Sequence, residues 1–305
     1  VTTPRMMQSV LIDIAIEYRI IRCLRSSSGE SSSEVTLCRF AKGVLTVKLL
    51  DCGIHNARDA MVFPQGDEKM PQPRTVLVTG GNRGIGYAIA AEFVAQGHRV
   101  AVTARSGAGP AGSLSVSADV TDSESLDAAI AKVEAELGPI EVVVANAGIT
   151  KDTLLMRMSD EEFEAVINTN LTGVFRVVKR VTKSMLRAKY GRVVLIGSVV
   201  GLLGSAGQVN YSAAKSALVG MARSITRELG GKNITANVVA PGFIDTDMTA
   251  ELGEDLAAKY RSQIPAGRFA SPEEVAKVVA WVASEDASYI SGAVIPVDGG
   301  LGMGH

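Results

Sequence analysis

Three side chains in the second half of this 305-residue chain have the types and order needed to move a proton to or from an oxygen: Ser198, Tyr211 and Lys215. On a helix, four-residue spacing puts Tyr211 and Lys215 on one face. A free phenol keeps its proton to a pH near 10, and an ammonium beside it favours the phenolate, so the pair is expected to serve as a general acid/base. Ser198 is expected to donate to a carbonyl oxygen and stabilise the charge that develops on it. Asn170, within Asn168-Thr169-Asn170-Leu171, is a candidate to hold a water linking the lysine to solvent. Taken singly, each has a plain alternative: Tyr-x-x-x-Lys is a common helical pair, and a serine after Gly197 is a common turn residue.

What gives the set weight is a glycine-rich turn far upstream, Thr79-Gly80-Gly81-Asn82-Arg83-Gly84-Ile85-Gly86. Gly80, Gly84 and Gly86 have the spacing that lets backbone pass close to a pyrophosphate and lets a helix pack tightly on the preceding strand. Alone, such a turn also fits an ordinary tight strand-to-helix loop. Here it follows an apolar strand and opens a helix, the context a dinucleotide site requires. Gly80, Asn82, Arg83, Gly84, Ile85 and Gly86 are therefore expected to line the cofactor.

The end of the second strand separates the two nicotinamide cofactors, since an acid there holds a ribose 2′-hydroxyl and basic groups accept a 2′-phosphate. The stretch Ala101-Val102-Thr103-Ala104-Arg105-Ser106 has no acid, and Arg105 together with Arg83 offers two guanidinium forks to a phosphate. NADP(H) is the expected cofactor, with two solvated surface arginines as the plain alternative. Asp119-Val120 is placed to meet the adenine, or else to cap the helix that follows. Asn146-Ala147-Gly148 ends the fourth strand, where ligands gather in open parallel sheets.

The elements that must position these residues follow from the alternation of short Val, Ile and Ala runs with longer helix-period segments. That alternation predicts a single Rossmann-type, doubly wound parallel α/β sheet of about seven strands with helices on both faces. Strands are expected from Thr75 to Thr79, Arg99 to Thr103, Ser113 to Ala118, Glu141 to Ala145, Arg192 to Ile196, Thr235 to Val239 and Ala293 to Pro296. A helix is expected from Ile85 to Gln96, and a long one from Asn210 to Leu229 carries Tyr211 and Lys215 near its start.

Composition excludes several function classes. The chain is 47% apolar and 21% charged with a net charge of −1, ordinary for a globular enzyme and not for a general nucleic-acid binder. No run reaches the roughly 18 uncharged apolar residues of a membrane span, and the interrupted start does not read as a signal peptide, so a cytoplasmic protein is expected. Cys23, Cys38 and Cys52 all precede the glycine turn, and His55, His98 and His305 stand apart, so no metal site is expected. Residues 1–69 differ from the rest, with a serine-rich stretch at Ser26 to Ser33. They are expected to be a poorly ordered extension: either a stretch ahead of a true start near Met70, or a targeting or regulatory segment. Residues 70–305 are expected to form the NADP-binding reductase domain.

With these residues in place, the chain from residue 74 onward resembles a short-chain dehydrogenase/reductase, and more narrowly the bacterial 3-oxoacyl-(acyl-carrier-protein) reductases of type II fatty acid synthesis. The similarity rests on TGGNRGIG, NAGIT with LLMRM, NTNLTG, IGSVVG, NYSAAK, NVVAPGFIDTDMT and ASYISGAVIPVDGG. It implies a catalytic tetrad of Asn170, Ser198, Tyr211 and Lys215, with Tyr211 and Lys215 also against the cofactor and Lys215 on the nicotinamide ribose. It implies that Pro241, Gly242, Ile244 and Thr246 flank the nicotinamide, and that the enzyme is a homotetramer reducing a 3-oxoacyl thioester borne by acyl carrier protein. Sibling reductases acting on acetoacetyl-CoA, a polyketide or a secondary alcohol share the same residues, and a redox-sensing module without turnover is a more distant alternative.

The acidic carrier is expected on the basic stretch Arg176, Lys179, Arg180, Lys183, Arg187, Lys189 and Arg192, joined by Lys232. A merely solvated helix face or subunit contacts fit that stretch equally well. The segment from Met248 to Arg268 is expected to be a substrate lid. The first 69 residues are the departure from the family pattern.

Overall fold

Five apolar or β-branched runs become strands largely buried on both faces, which need no polar side, and two partly exposed strands at the edges complete a sheet of seven. The computed structural model describes residues 72–246, 249 and 253–303, all in the unit Pro71–His305, and the expected extension, residues 1–69, lies outside them. The strands are β1 (Thr75–Thr79), β2 (Arg99–Ala104), β3 (Leu114–Ser117), β4 (Val142–Ala145), β5 (Gly191–Ile196), β6 (Ile234–Pro241) and β7 (Val294–Val297). The helices between them are α1 (Gly84–Ala95), α2 (Ser123–Leu137), α3 (Asp160–Ile167), α4 (Val174–Ala188), α5 (Val200–Leu203), α6 (Val209–Leu229), α7 (Glu254–Gln263) and α8 (Pro272–Val282).

All pairings are parallel, in the order β3-β2-β1-β4-β5-β6-β7, which is the doubly wound sheet expected. From β1 the chain winds outward through β2 to β3, then returns to β4 on the other side. That reversal opens a crevice at the carboxyl ends of β1 and β4, where open α/β sheets bind ligands.

Alternation along each strand divides the core between two faces. Val76, Val78, Val102 and Val144 pack with Ile89 and Phe93 of α1 and with Val275 and Val279 of α8. Leu77, Val143 and Leu195 pack with Leu126 and Val133 of α2, Val177 and Val181 of α4 and Leu218 of α6. At about 1.5–3 kcal/mol per fully buried aliphatic side chain, these two layers dominate the stabilising side and fix the strand ends that carry the site.

Two features go beyond the sequence pattern. Strand β6 runs on to Pro241, so the proline closes it where no further ladder donor is needed. Between α3 and α4 the helix widens into a π-turn, Asn168–Gly173, with Asn170 and Gly173 buried. Gly173 is needed there, since a β-carbon would stand 2.9 Å from Val120 Cγ2.

Candidate active site

The glycine turn is shaped by contact. Gly80 and Gly84 have φ of 67° and 54°, the left-handed region that favours glycine. The Gly80 amide donates to Thr103 O at 2.6 Å, tying the turn to β2. A β-carbon on Gly80 would stand 3.0 Å from Ala147 Cα, and one on Gly86 would run into the Gly80 carbonyl oxygen and Asn146 Nδ2. Asn146 Nδ2 donates to the Thr79 and Gly80 carbonyls at 3.0 and 3.1 Å, and Thr79 Oγ1 accepts from the amides of Asn146 and Ala147, both at 3.1 Å. The ends of β1 and β4 are thus one rigid floor. Thr79 is a site residue the motif alone did not single out, because its task is to hold other backbone.

The donor set fits a dinucleotide phosphate. Helix α1 starts at an extended Arg83 with no side-chain cap and no acid in its first turn. Uncapped amides at the positive end of a helix suit an anion. Arg83 and Arg105 are exposed, and neither forms an ion pair among the described residues. Asn82 Nδ2 donates to Ser106 O at 3.1 Å, which fastens the turn beside Arg105.

Helix capping does not fall to Asp119: that task belongs to Asp122, whose Oδ1 accepts from Glu124 N at 2.9 Å and Ser125 N at 3.3 Å. The Asp119 carboxylate instead accepts from the amide and hydroxyl of Thr121 at 2.8 and 2.7 Å. These bonds, with the Arg105 charge assisting, hold it below its ordinary range against a modest cost of burial.

Across the crevice, the loop after β6 is pinned by Gly242 N donating to Val297 O at 3.0 Å and by a parallel bridge from Ile244 to Ala270. The Thr246 methyl lies 3.8 Å from where a β-carbon on Gly84 would stand, so this loop faces the glycine turn.

The residues expected to transfer a proton meet at the carboxyl end of β5. Ser198 lies just beyond the strand, its Oγ accepting from Val200 N at 3.2 Å. Lys215 on α6 is buried, its Nζ donating to Ile196 O at 2.7 Å and standing 5.5 Å from the Tyr211 ring centroid. A β-carbon on Gly148 would be 3.2 Å from Asn170 Oδ1 and 3.7 Å from Lys215 Nζ, so the end of β4, the π-turn and α6 converge there.

Burial pushes the Lys215 ammonium down to about 8. Burial also pushes the Tyr211 phenol up; a hydrogen bond with Ser198 pulls it down, and the negative charge of Asp152 pushes it further up. Burial is the largest of these influences and favours the protonated phenol. Asn170 Oδ1 accepts from Ile149 N and its Nδ2 donates to Ile149 O, both at 2.8 Å, so the side-chain amide clamps the loop after β4.

The basic stretch is less available than its composition suggests. Arg176 donates to Asn168 Oδ1 at 2.8 Å, and Arg180 pairs with Asp127 at 2.7 Å. Arg192 is fully buried, pairs with Glu285 at 3.3 Å and stacks 4.3 Å from the centre of the Tyr190 ring. Lys179, Lys183, Arg187, Lys189 and Lys232 remain exposed. Lys189 and Lys232 stand just ahead of β5 and β6, whose starts pair at Gly191 and Ile234, and so lie at the opposite end of the sheet from Ser198.

The expected lid begins outside the described residues, at Met248, and continues as α7. Tyr260 of α7 stacks on Phe243 at 4.4 Å, and Phe269 stacks on Phe243 at 5.5 Å. Among the described residues no group of acids, histidines or cysteines is placed to hold a metal, and no helix is long and apolar enough to cross a membrane.

A pyrophosphate-fitting turn at the switch point of a parallel sheet, facing a buried lysine, a phenol and a serine, defines an oxidoreductase that uses a nicotinamide cofactor. A family model described as enoyl-(acyl carrier protein) reductase matches residues 80–302. The 3-oxoacyl-(acyl-carrier-protein) reductase MabA of Mycobacterium tuberculosis strain H37Rv is 59% identical over 232 residues, covering 76% of this chain and 94% of that protein. MabA of Mycobacterium avium is 56% identical, covering 76% and 91%. The 3-oxoacyl-(acyl-carrier-protein) reductase FabG of Escherichia coli K12 is 46% identical over 238 residues, covering 75% and 98%. The chain belongs to the short-chain dehydrogenase/reductase family.

Proposed function

We propose that the protein reduces a 3-oxoacyl group carried on acyl carrier protein to the 3-hydroxyacyl group, using NADPH. The observation that carries this reading is the meeting of Ser198, Tyr211 and Lys215 at the carboxyl end of β5, beside the dinucleotide crevice, in a chain 59% identical to a 3-oxoacyl-(acyl-carrier-protein) reductase.

The cofactor would be held by Gly80, Asn82, Arg83, Gly84, Ile85 and Gly86 around its phosphates, by Arg105 at the 2′-phosphate and by Asp119 and Val120 at the adenine. Asn146, Ala147 and Gly148 would lie along the crevice, with Pro241, Gly242, Ile244 and Thr246 at the nicotinamide and Lys215 at its ribose. When bound, reduced NADP supplies a hydride to the 3-carbon of the substrate. Ser198 donates to the 3-oxo oxygen and draws electron density toward it. Tyr211, kept a phenol by burial, gives that oxygen its proton. Lys215 stands against the same ring and restores the proton, helped by a chain of polar groups reaching Asn170.

NADPH is favoured over NADH because Arg83 and Arg105 are free of ion pairs among the described residues and no acid ends β2. The carrier would be met by the exposed cations Lys179 and Lys183 of α4, the helix that starts from the π-turn beside the site. A homotetramer in the cytoplasm is part of the same reading, supported by exposed apolar side chains such as Phe175, Trp281 and Met156.

The description of the matching family model supports a second reading, reduction of an enoyl thioester. The relatives that are 46–59% identical, each a 3-oxoacyl-(acyl-carrier-protein) reductase by name, favour the ketone. Steady-state assays with 3-oxoacyl and 2-enoyl thioesters on the same carrier, with NADPH or NADH, decide between them. The expected outcome is turnover of the 3-oxo substrate with NADPH at least tenfold above each alternative, a difference of about 1.4 kcal/mol in barrier. Preference for the enoyl substrate would overturn the reaction, and preference for NADH would overturn the role of the two arginines.

A further inference from the structure

Three aromatic rings from three separate segments meet beside the loop that follows β6. Phe243 lies in that loop, Tyr260 on α7 and Phe269 in the segment leading into α8. The rings of Phe243 and Tyr260 have centroids 4.4 Å apart and planes inclined by 27°, and those of Phe243 and Phe269 lie 5.5 Å apart at 23°. Both are stacked pairs. The Arg261 guanidinium adds a further contact, 5.7 Å from the centre of the Phe269 ring.

Helix α7 buries little of itself. Asp255, Leu256, Ala258, Lys259, Ser262 and Gln263 are exposed, while Ala257, and Ile264 just past the helix end, are buried. Ala257, Tyr260 and Arg261 share one face by three- and four-residue steps, so Tyr260 is the large apolar surface on the packing side of the helix. Its stack on Phe243 joins α7 to the loop.

Phe243 stands within the stretch proposed to flank the nicotinamide. Ahead of it Gly242 N donates to Val297 O at 3.0 Å, its own carbonyl accepts from Ala270 N at 3.1 Å, and beyond it Asp245 N donates to Ala270 O at 2.8 Å. The loop therefore rests on residues 269 and 270, and the Phe269 ring ties that rail back to Phe243. A cavity of about 280 Å³, lined in part by Phe243, Ala266, Arg268, Ala270, Pro296 and Gly299, adjoins the loop on another side. Close packing does not fill that side, so the stack with Tyr260 and Phe269 decides where the Phe243 ring rests.

We propose that Tyr260 and Phe243 are positioning residues for the nicotinamide end of the cofactor: stacking from α7 fixes Phe243, and Phe243 fixes Gly242, Ile244 and Thr246 against the nicotinamide. The inference rests on those residues flanking the nicotinamide, as proposed above. The aromatic rings act on the loop alone and take no part in a covalent step.

The test compares two ligands of the whole protein by titration calorimetry. One is NADPH; the other is adenosine 2′,5′-bisphosphate, which carries the adenine, a ribose and the 2′-phosphate but no nicotinamide. Tyr260→Ala is expected to weaken NADPH binding about fivefold while the affinity for the bisphosphate stays within about twofold. Tyr260→Phe, which keeps the ring, is expected to match the parent for both ligands. Phe243→Ala is expected to repeat the split, larger. Each variant is read as a ratio of two affinities on one sample, so a fraction of unfolded protein does not imitate the result.

If both ligands weaken together in Tyr260→Ala, the stack supports the domain at large and the proposal fails. A parental affinity for NADPH in that variant overturns it equally. The parent separates the two failures: NADPH bound no tighter than the bisphosphate would sink the placement of the nicotinamide and this inference with it, whereas a clear difference that Tyr260→Ala preserves sinks this inference alone.

Discussion

Lys215 is asked to be buried and charged at once. The fold excludes it from water and gives its ammonium one carbonyl, Ile196 O, so its proton is bound less tightly than in a free lysine and is lost near pH 8. Two consequences follow with definite sign. Between about 8 and the ordinary lysine value of 10.5, the unfolded chain binds more protons than the folded one at this position, so stability rises with pH across that window. The difference in melting temperature between the parent and Lys215→Met, followed from pH 7 to 10, should therefore shift in the parent's favour. In turnover the sign is opposite. A lysine that restores the proton must hold one, so kcat/KM for reduction should stay level below pH 8 and decline above it. A flat profile through pH 9.5 would exclude that role.

At the scale of elements, the site depends on two clamps: the glycine turn against the end of β4, and Asn170 in the π-turn against Ile149. Gly86→Ala places a methyl against the Gly80 carbonyl, which is backbone and cannot swing aside. Cofactor affinity should fall at least tenfold, measured by nicotinamide fluorescence, while the two apolar layers keep the protein folded. Asn170→Ala leaves the amide and carbonyl of Ile149 without their partners, a cost of about 2 kcal/mol or more, seen as a lowered melting temperature together with lost turnover. A variant as stable as the parent would show that water satisfies Ile149.

The elements themselves were largely legible. Strands with no polar face, such as Thr75–Thr79 and Val142–Ala145, can only be the middle of a covered sheet, and the turn glycines mark where backbone must come close. The π-turn was not legible, because NTNLTG, with five poor helix formers in six residues, reads as readily as a loop between two helices. Nor was the bond from Gln208 Nε2 to Asp152 Oδ2, which joins the loop after β4 to the residue ahead of α6 by a tertiary contact with no fixed spacing.

For the molecule as a whole, charge in the sequence is a poor guide to charge on the surface. Arg176, Arg180 and Arg192 are spent on Asn168, Asp127 and Glu285, and only the structure reveals which cations remain to meet a partner. Reversing Lys179 and Lys183 together to glutamate should lower kcat/KM for a carrier-borne substrate about tenfold at low salt and leave a free thioester analogue unchanged. Equal loss on both substrates would mean that these lysines support the fold and not the encounter. Delivery of the proton depends on one hydroxyl, and Tyr211→Phe under single-turnover conditions tests it directly. With NADPH bound at parental affinity and a 3-oxoacyl thioester in excess, the expected result is no oxidation of NADPH above background. Oxidation at the parental rate would contradict it.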